Sequence, residues 1–303
     1  MLNPVEIGIF KALDTRMYMG EIAERIKLAE STVSKYVNLS IQKGNGLFEK
    51  RRDGKKVYVV RSNAAHANLF LSIIREYPRW EIENLFSYAK MNVAVSAQKE
   101  KTADEIAYIT GLTRQYVKRC LKELGRVGII VKTGKEYALN PGDKIVRDFI
   151  NAYYSYVNRN TVRELSPDGI ILWQRGKEFL FKTSKHVRSE NIKETAVICF
   201  HRYNIPLLTT VKYYFHTKRT LDVQDVILHT VLIEPMSRTY NVYACLLYQK
   251  TKPEDILKRA KMYDIEEHFS LIERYITTKR KTADFLPPWD EYWEIAKDYG
   301  VIK

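Results

Sequence analysis

The sequence predicts an α+β chain, mainly helical with small antiparallel sheets, in which two copies of one small module precede a separate C-terminal domain. Three observations predict it. The chain repeats itself at an offset of 84 positions: Glu21, Ile22, Ala23, Leu28 and Val33 fall without a gap on Glu105, Ile106, Ala107, Leu112 and Val117, and Gly44 falls on Gly128. In each copy, helically spaced apolar residues give way to two short strand-like runs around a glycine turn. From Ser166 onward the repeat is gone, and strands and helices follow in a different order.

Within the first copy, Ile22, Ala23 and Ile26 mark a short helix, Leu28 a break, and Val33, Tyr36 and Val37 a longer helix, which is the helix-turn-helix pattern. Two helices crossing steeply need a small residue where their axes approach, and Ala23 and Ala107 supply it. Gly111 sits where the turn favours a left-handed residue. Lys27 holds the matching place, where a non-glycine residue costs on the order of 1 kcal/mol, so the first turn is expected to be built differently. Ser40 likewise stands where the second copy has Leu124, and Leu39 and Ile41 are expected to take over its packing. After each second helix come two strands: residues 47–52 and 55–60 around Asp53-Gly54, a dipeptide suited to two-residue hairpins, and 129–132 and 136–139 around a turn at 133–135. Helix-turn-helix followed by a hairpin is a winged helix. The fold therefore reads as two tandem winged helix-turn-helix domains and a C-terminal α+β domain.

At this point a family resemblance enters. Ser31-Thr32-Val33-Ser34-Lys35-Tyr36-Val37 resembles the start of the recognition helix in winged-helix transcription regulators of the MarR and ArsR type, including many archaeal ones. Residues 113–124 followed by Gly128-Ile129-Ile130 are a second such match. The resemblance covers about residues 1–140 and implies double-stranded DNA as the partner. Residues 222–232, with His229, and 256–276 are weakly similar to the C-terminal region of regulators related to the abortive-infection antitoxins.

Taken in order, residues 1–62 form the first module, opened by a helix over 5–13 with Pro4 in its first turn. Residues 63–91 are a connector of two helices, 64–77 and 79–91, broken at Pro78, with Leu69, Ile73, Ile74, Leu85 and Phe86 buried; it serves dimerisation or simple spacing. The second module spans 92–142. A long helix over 143–165 carries one apolar face of Ile145, Phe149, Ala152 and Tyr156 and a neighbouring one of Val146, Ile150, Tyr153 and Val157, the pattern of a hinge helix or a dimer seam. The domain over 166–303 begins with a hairpin, 170–174 and 178–182, and adds a strand at 211–215. Helices follow at 192–203, 223–233, 242–248, 254–263 and 266–277, and a last one displays Trp289, Trp293 and Ile295.

A charge of +14 favours an acidic partner, with nucleic acid ahead of a membrane because no basic amphipathic anchor stands out. Cys120, Cys199 and Cys245 are far apart and flanked by apolar residues, so they read as buried packing with no disulfide framework, metal site or redox motif. No leader pattern or membrane-spanning run is evident, and a cytoplasmic protein is expected.

The side chains that could meet DNA lie off the core positions. On the two second helices they are Ser31, Thr32, Ser34, Lys35 and Asn38, and Thr113, Arg114, Gln115, Lys118, Arg119 and Lys122. These types reach base edges and phosphates in a major groove about 12 Å wide. Lys50, Arg51, Arg52, Lys55 and Lys56 add charge around the first hairpin, whereas the second has only Lys132 and Lys135. A catalytic reading has little to stand on: there is no phosphate-binding glycine loop, no His-Glu-x-x-His, no Gly-x-Ser-x-Gly and no paired carboxylates. His229, Asp222 and Asp225 share one helix but read as core, His201 and His216 lack partners at ligand spacing, and Asp255, Glu266 and Glu267 read as a solvated face.

The expected function is a sequence-specific DNA-binding regulator without enzymatic activity, metal or cofactor. Its C-terminal domain would sense a protein or small-molecule effector or mediate self-association, homodimers included. The alternatives are a winged-helix protein-interaction scaffold and a nucleic-acid-processing enzyme with its site in 166–303.

Overall fold

The computed structural model describes residues 2–42 and 44–302. They divide into two compact units, Met1–Asn160 and Thr161–Lys303, and the whole is an α+β protein of many helices and three small antiparallel sheets.

The first unit begins with α1, Pro4–Ala12. Asn3 caps it by accepting from the Val5 N–H at 2.9 Å, while Glu6 accepts from the Asn3 N–H, so two of the orphaned first-turn donors are satisfied. Then come β1 (Arg16–Tyr18), α2 (Met19–Ile26), α3 (Glu30–Gln42), β2 (Phe48–Asp53) and β3 (Lys56–Arg61). A connector of α4 (Ala65–Glu76) and the single turn α5 (Ile82–Leu85) leads to α6 (Tyr88–Ser96), β4 (Lys101–Thr102), α7 (Ala103–Thr110), α8 (Arg114–Arg126), β5 (Ile130–Thr133) and β6 (Glu136–Leu139). At the 84-residue offset α1, α2 and α3 fall end for end on α6, α7 and α8. The two sheets also match, in the orders β1-β3-β2 and β4-β6-β5.

The repeated glutamates have a structural cause. Glu21 accepts from the Tyr18 N–H at 2.7 Å and Glu105 from the Thr102 N–H at 2.6 Å, so each closes the first turn of α2 or α7.

Four sequence expectations change. Lys27 takes the same left-handed conformation as Gly111, φ 55° against 67°, so the first turn is not built differently; the Leu28 N–H bond to the Ala23 carbonyl, 3.0 Å, offsets the backbone cost. Ser40 is not replaced in the core by its neighbours. It is itself fully buried and donates to Asn45 Oδ1 at 2.5 Å, while Leu39 is half-buried and Ile41 exposed. The helix expected over 79–91 is two, because extended Ser87 separates α5 from α6. Finally, Asp53 pairs with Lys56 and Thr133 with Glu136, so the turns are Gly54-Lys55 and Gly134-Lys135. Each glycine has φ near +60°, the first position of a mirror-image turn.

One hydrophobic core runs through both copies, from Leu2 to Tyr154. Its centre is aromatic: Phe70 of α4 stacks on Phe149 at 4.8 Å and meets Phe10 of α1 at 5.3 Å and Phe86 at 5.5 Å. Phe149 belongs to α9, Lys144–Leu165, whose Val146, Ile150 and Tyr153 are also buried. Tyr154 donates to Asn92 Oδ1 at 2.5 Å, and the Asn160 amide reaches the Gly44 carbonyl. The first part of α9 therefore touches both copies.

The second unit carries a four-stranded antiparallel sheet in the order β7-β8-β10-β9: β7 (Ile170–Arg175) and β8 (Glu178–Thr183), joined by Gly176-Lys177, then β9 (Ile192–Glu194) and β10 (Lys212–His216). The helix expected over 192–203 is corrected. Residues 192–194 pair with β10, Thr195 extends that pairing to the Tyr213 carbonyl, and only Ala196–Tyr203 coil, as a 3₁₀ helix. Five helices pack on this sheet's core: α10 (Val223–Ile233), α11 (Arg238–Thr251), α12 (Ile256–Met262), α13 (Glu266–Thr278) and α14 (Trp289–Asp298). In α14 the fully buried positions are Tyr292 and Ala296, with Trp289, Trp293 and Ile295 half-buried beside them.

Candidate nucleic-acid interface

In the first module α3 presents Ser31 and Lys35 fully, with Thr32, Ser34 and Asn38 half-buried. Val33 and Val37 turn into the core. In the second module Thr113, Arg114, Gln115, Lys118, Arg119 and Lys122 are all exposed along α8, opposite buried Val117, Cys120, Leu121 and Leu124. Thr113 has a local task, since its hydroxyl accepts from the Tyr116 N–H and caps α8. Arg114 pairs with Asp104 at 2.7 Å, and Arg119 lies over the Tyr116 ring at 4.5 Å. Glu123, on the same helix, is tied back to nearly buried Lys90, whose ammonium holds its carboxyl below the ordinary value. The outward face of α8 is thus left cationic.

The first hairpin has two faces of different character. Residues directly opposed across a ladder share a face. Lys50 opposes Val59 and Arg52 opposes Val57; Val59 is fully buried, so Lys50 and Arg52 lie on the side that carries the module core. The Lys50 ammonium reaches Asn38 Oδ1 of α3. Among the described residues, neither Lys50 nor Arg52 forms an ion pair. On the other side stand Arg51, Lys56, Tyr58, Arg16 and Tyr18. There Arg51 meets Glu49 at 3.0 Å and lowers its carboxyl, Arg16 meets Asp53 at 3.2 Å, and Lys56 lies over Tyr18 at 5.6 Å. Lys55 is exposed at the turn.

The sixteen sequence candidates therefore fall into two sets, one per module. The first joins α3 to its hairpin through Lys50 and Asn38; the second is carried by α8. No hydrogen bond or ion pair links the sets among the described residues. Two contributors were not marked in the sequence: Arg16, which shares the outer hairpin face, and Lys90, which withdraws Glu123. Arg16 was legible in principle, since Arg16-Met17-Tyr18 alternates like a strand.

The residues considered for catalysis lie in a closed network in the second unit. Asp225, fully buried, accepts from Arg219 at 2.9 Å, Arg259 at 3.2 Å and the Tyr263 hydroxyl at 2.7 Å. Burial pushes its carboxyl up, but the two guanidinium groups outweigh that and hold it below the ordinary value. Since the Tyr263 proton goes to Asp225, the 2.8 Å contact with His229 is donated by Nε2–H, and His229 Nδ1 accepts from Thr195 at 2.7 Å. Burial takes His229 down to about 3, so it is neutral. His201 and His216 each meet a backbone carbonyl. All three cysteines are buried and free. Among the described residues no cluster could hold a metal ion, and no helix is long and apolar enough to cross a membrane.

Comparison with known families adds one finding. A family model described as HVO_2833_C, C-terminal, matches residues 189–301. The match lies within the second unit and covers less than half of the chain. No curated protein and no solved structure matches the chain.

Proposed function

We propose that the chain is a sequence-specific double-stranded DNA-binding regulator in which α3 and α8 each enter a major groove and the first hairpin grips phosphate. The observation that carries this reading is the repeat itself: two polar helix faces at an identical offset, that of α8 exposed and that of α3 in part half-buried, border one shared core. The modules divide the work. In the first, the helix is nearly neutral and the hairpin cationic; in the second, α8 carries the charge and the hairpin has only Lys132 and Lys135. The element order and the likeness to MarR- and ArsR-type regulators support the same reading. One chain would then read two half-sites about 10 base pairs apart, and the unlike helices would make the site asymmetric. A cytoplasmic location accompanies the proposal.

Selection of bound duplexes from a random pool tests it. Lys118→Ala/Arg119→Ala is expected to change the preferred sequence, and Lys50→Ala/Arg52→Ala to weaken all sequences alike. A footprint of one module's width, or no duplex binding even in dilute salt, overturns the proposal and leaves a protein-docking role for the modules.

A further inference from the structure

The second unit holds a cleft of about 310 Å³ between the loop that carries Leu207 and Leu208, Tyr213 of β10, and the start of α11 at Ser237, Thr239 and Tyr240. Its size lies at the lower end of ligand-binding pockets. No charged side chain lines it among the described residues.

Its polar side chains are the hydroxyls of Thr209, Ser237, Thr239 and three tyrosines, each able to donate and to accept, and the start of α11 adds groups that only donate. Ser237 precedes α11 but makes no capping bond, so the first-turn N–H groups lack intrahelical partners and favour an oxygen acceptor. The Tyr213 and Tyr240 hydroxyls lie 2.8 Å apart. That contact uses one of their two protons, and the other remains to be donated. Burial and the neighbouring hydroxyl push the Tyr213 phenol up, so it keeps its proton. Val197, Leu207 and Leu208 supply the apolar part of the lining, and Leu208 is fully exposed.

We infer that this cleft binds a small amphipathic molecule: an apolar ring or short chain against Leu207 and Leu208, bearing a carbonyl or carboxylate oxygen that accepts from the start of α11 and the tyrosine pair. The inference concerns the second unit alone and does not rest on DNA binding.

Three probes of one shape separate the chemistry. Benzoate and benzamide present an oxygen acceptor, whereas benzamidine presents only donors. Titrated calorimetrically into the full chain, benzoate or benzamide should bind saturably and benzamidine at least roughly tenfold more weakly, the loss of one to two hydrogen bonds. Tyr240→Phe should weaken the better probe roughly two- to tenfold, and Leu208→Ser, at a position whose exposure spares the fold, about fivefold. Circular dichroism checks that both variants are folded. Saturable binding that both variants weaken supports the inference. Equal binding of all three probes, absence of saturation, or affinity unchanged in both variants overturns it.

Discussion

If the first hairpin holds phosphate from its core side, removing Lys50 and Arg52 should alter the salt dependence of DNA binding, and removing Arg51 and Lys56 should alter it less. The difference follows from the ladder. Lys50 and Arg52 stand on the face shared with the core and α3 and carry no ion pair among the described residues. Arg51 is already offset by Glu49 at 3.0 Å, and Lys56 rests on Tyr18. Each neutralised phosphate contributes roughly 0.9 to the slope of log affinity against log salt, so Lys50→Ala/Arg52→Ala should make the slope shallower by about 1.8. Between roughly 50 and 200 mM salt, the advantage of the wild type over that variant should then shrink about twelvefold. Fluorescence anisotropy with a labelled duplex at several salt concentrations measures both slopes. A slope that falls for Arg51→Ala/Lys56→Ala and stays unchanged for Lys50→Ala/Arg52→Ala refutes the assignment of faces.

The fold makes further claims. Lys27→Gly should stabilise the first unit by about 1 kcal/mol, since glycine adopts the left-handed conformation without strain; urea unfolding that shows no gain would mean that lysine packing offsets the strain. Gly46→Ala should cost about 3 kcal/mol, because at φ 66° its methyl would stand 2.4 Å from the Tyr156 ring and 2.9 Å from His66, and a wild-type melting curve would contradict this. Tyr263→Phe should cost about 2 kcal/mol by leaving the buried His229 Nε2–H without its acceptor, read by chemical denaturation. The same histidine sets a pH dependence. Its folded value, about 3, lies below the unfolded one near 6.5, so the unfolded state takes up a proton first. Stability is full above pH of about 6.5 and falls as pH drops toward 3, by at most about 1.4 kcal/mol per unit. Stability that holds constant from pH 7 to 5 would speak against a neutral buried imidazole.

Much of the first unit was legible because its core positions recur with their spacing intact. Val33 and Val117, or Ile22 and Ile106, face inward in both copies, and the polar residues between them are left outward by helical periodicity alone. What could not be read turned on single residues whose preference tertiary contacts override. A left-handed lysine costs only about 1 kcal/mol, less than composition can reveal. Ser40 is buried because Asn45, five residues on, accepts its proton, and no local pattern announces that pair. The run after Ile192 is apolar enough for a helix, yet β10 offers it an unpaired edge, which only the folded sheet supplies. For the candidate interface, helical spacing separated the outward side from Val33, Val37 and Val117 but did not show that Thr32, Ser34 and Asn38 are half-buried. The distinction between Lys50 and Arg51, adjacent in the chain and on opposite sides of the hairpin, required the strand pairing.

The aromatic centre around Phe70 and Phe149 has a mechanical consequence. Because Phe149 lies on α9, which also reaches the second copy through Tyr154 and Asn92 within one shared core, α3 and α8 would act in the proposed complex as a calliper of constant gauge. A duplex turns by about 34° with every base pair, so lengthening the middle of an operator by one step would carry the far groove out of phase. A regulator of the proposed kind would measure the helical pitch as well as the bases.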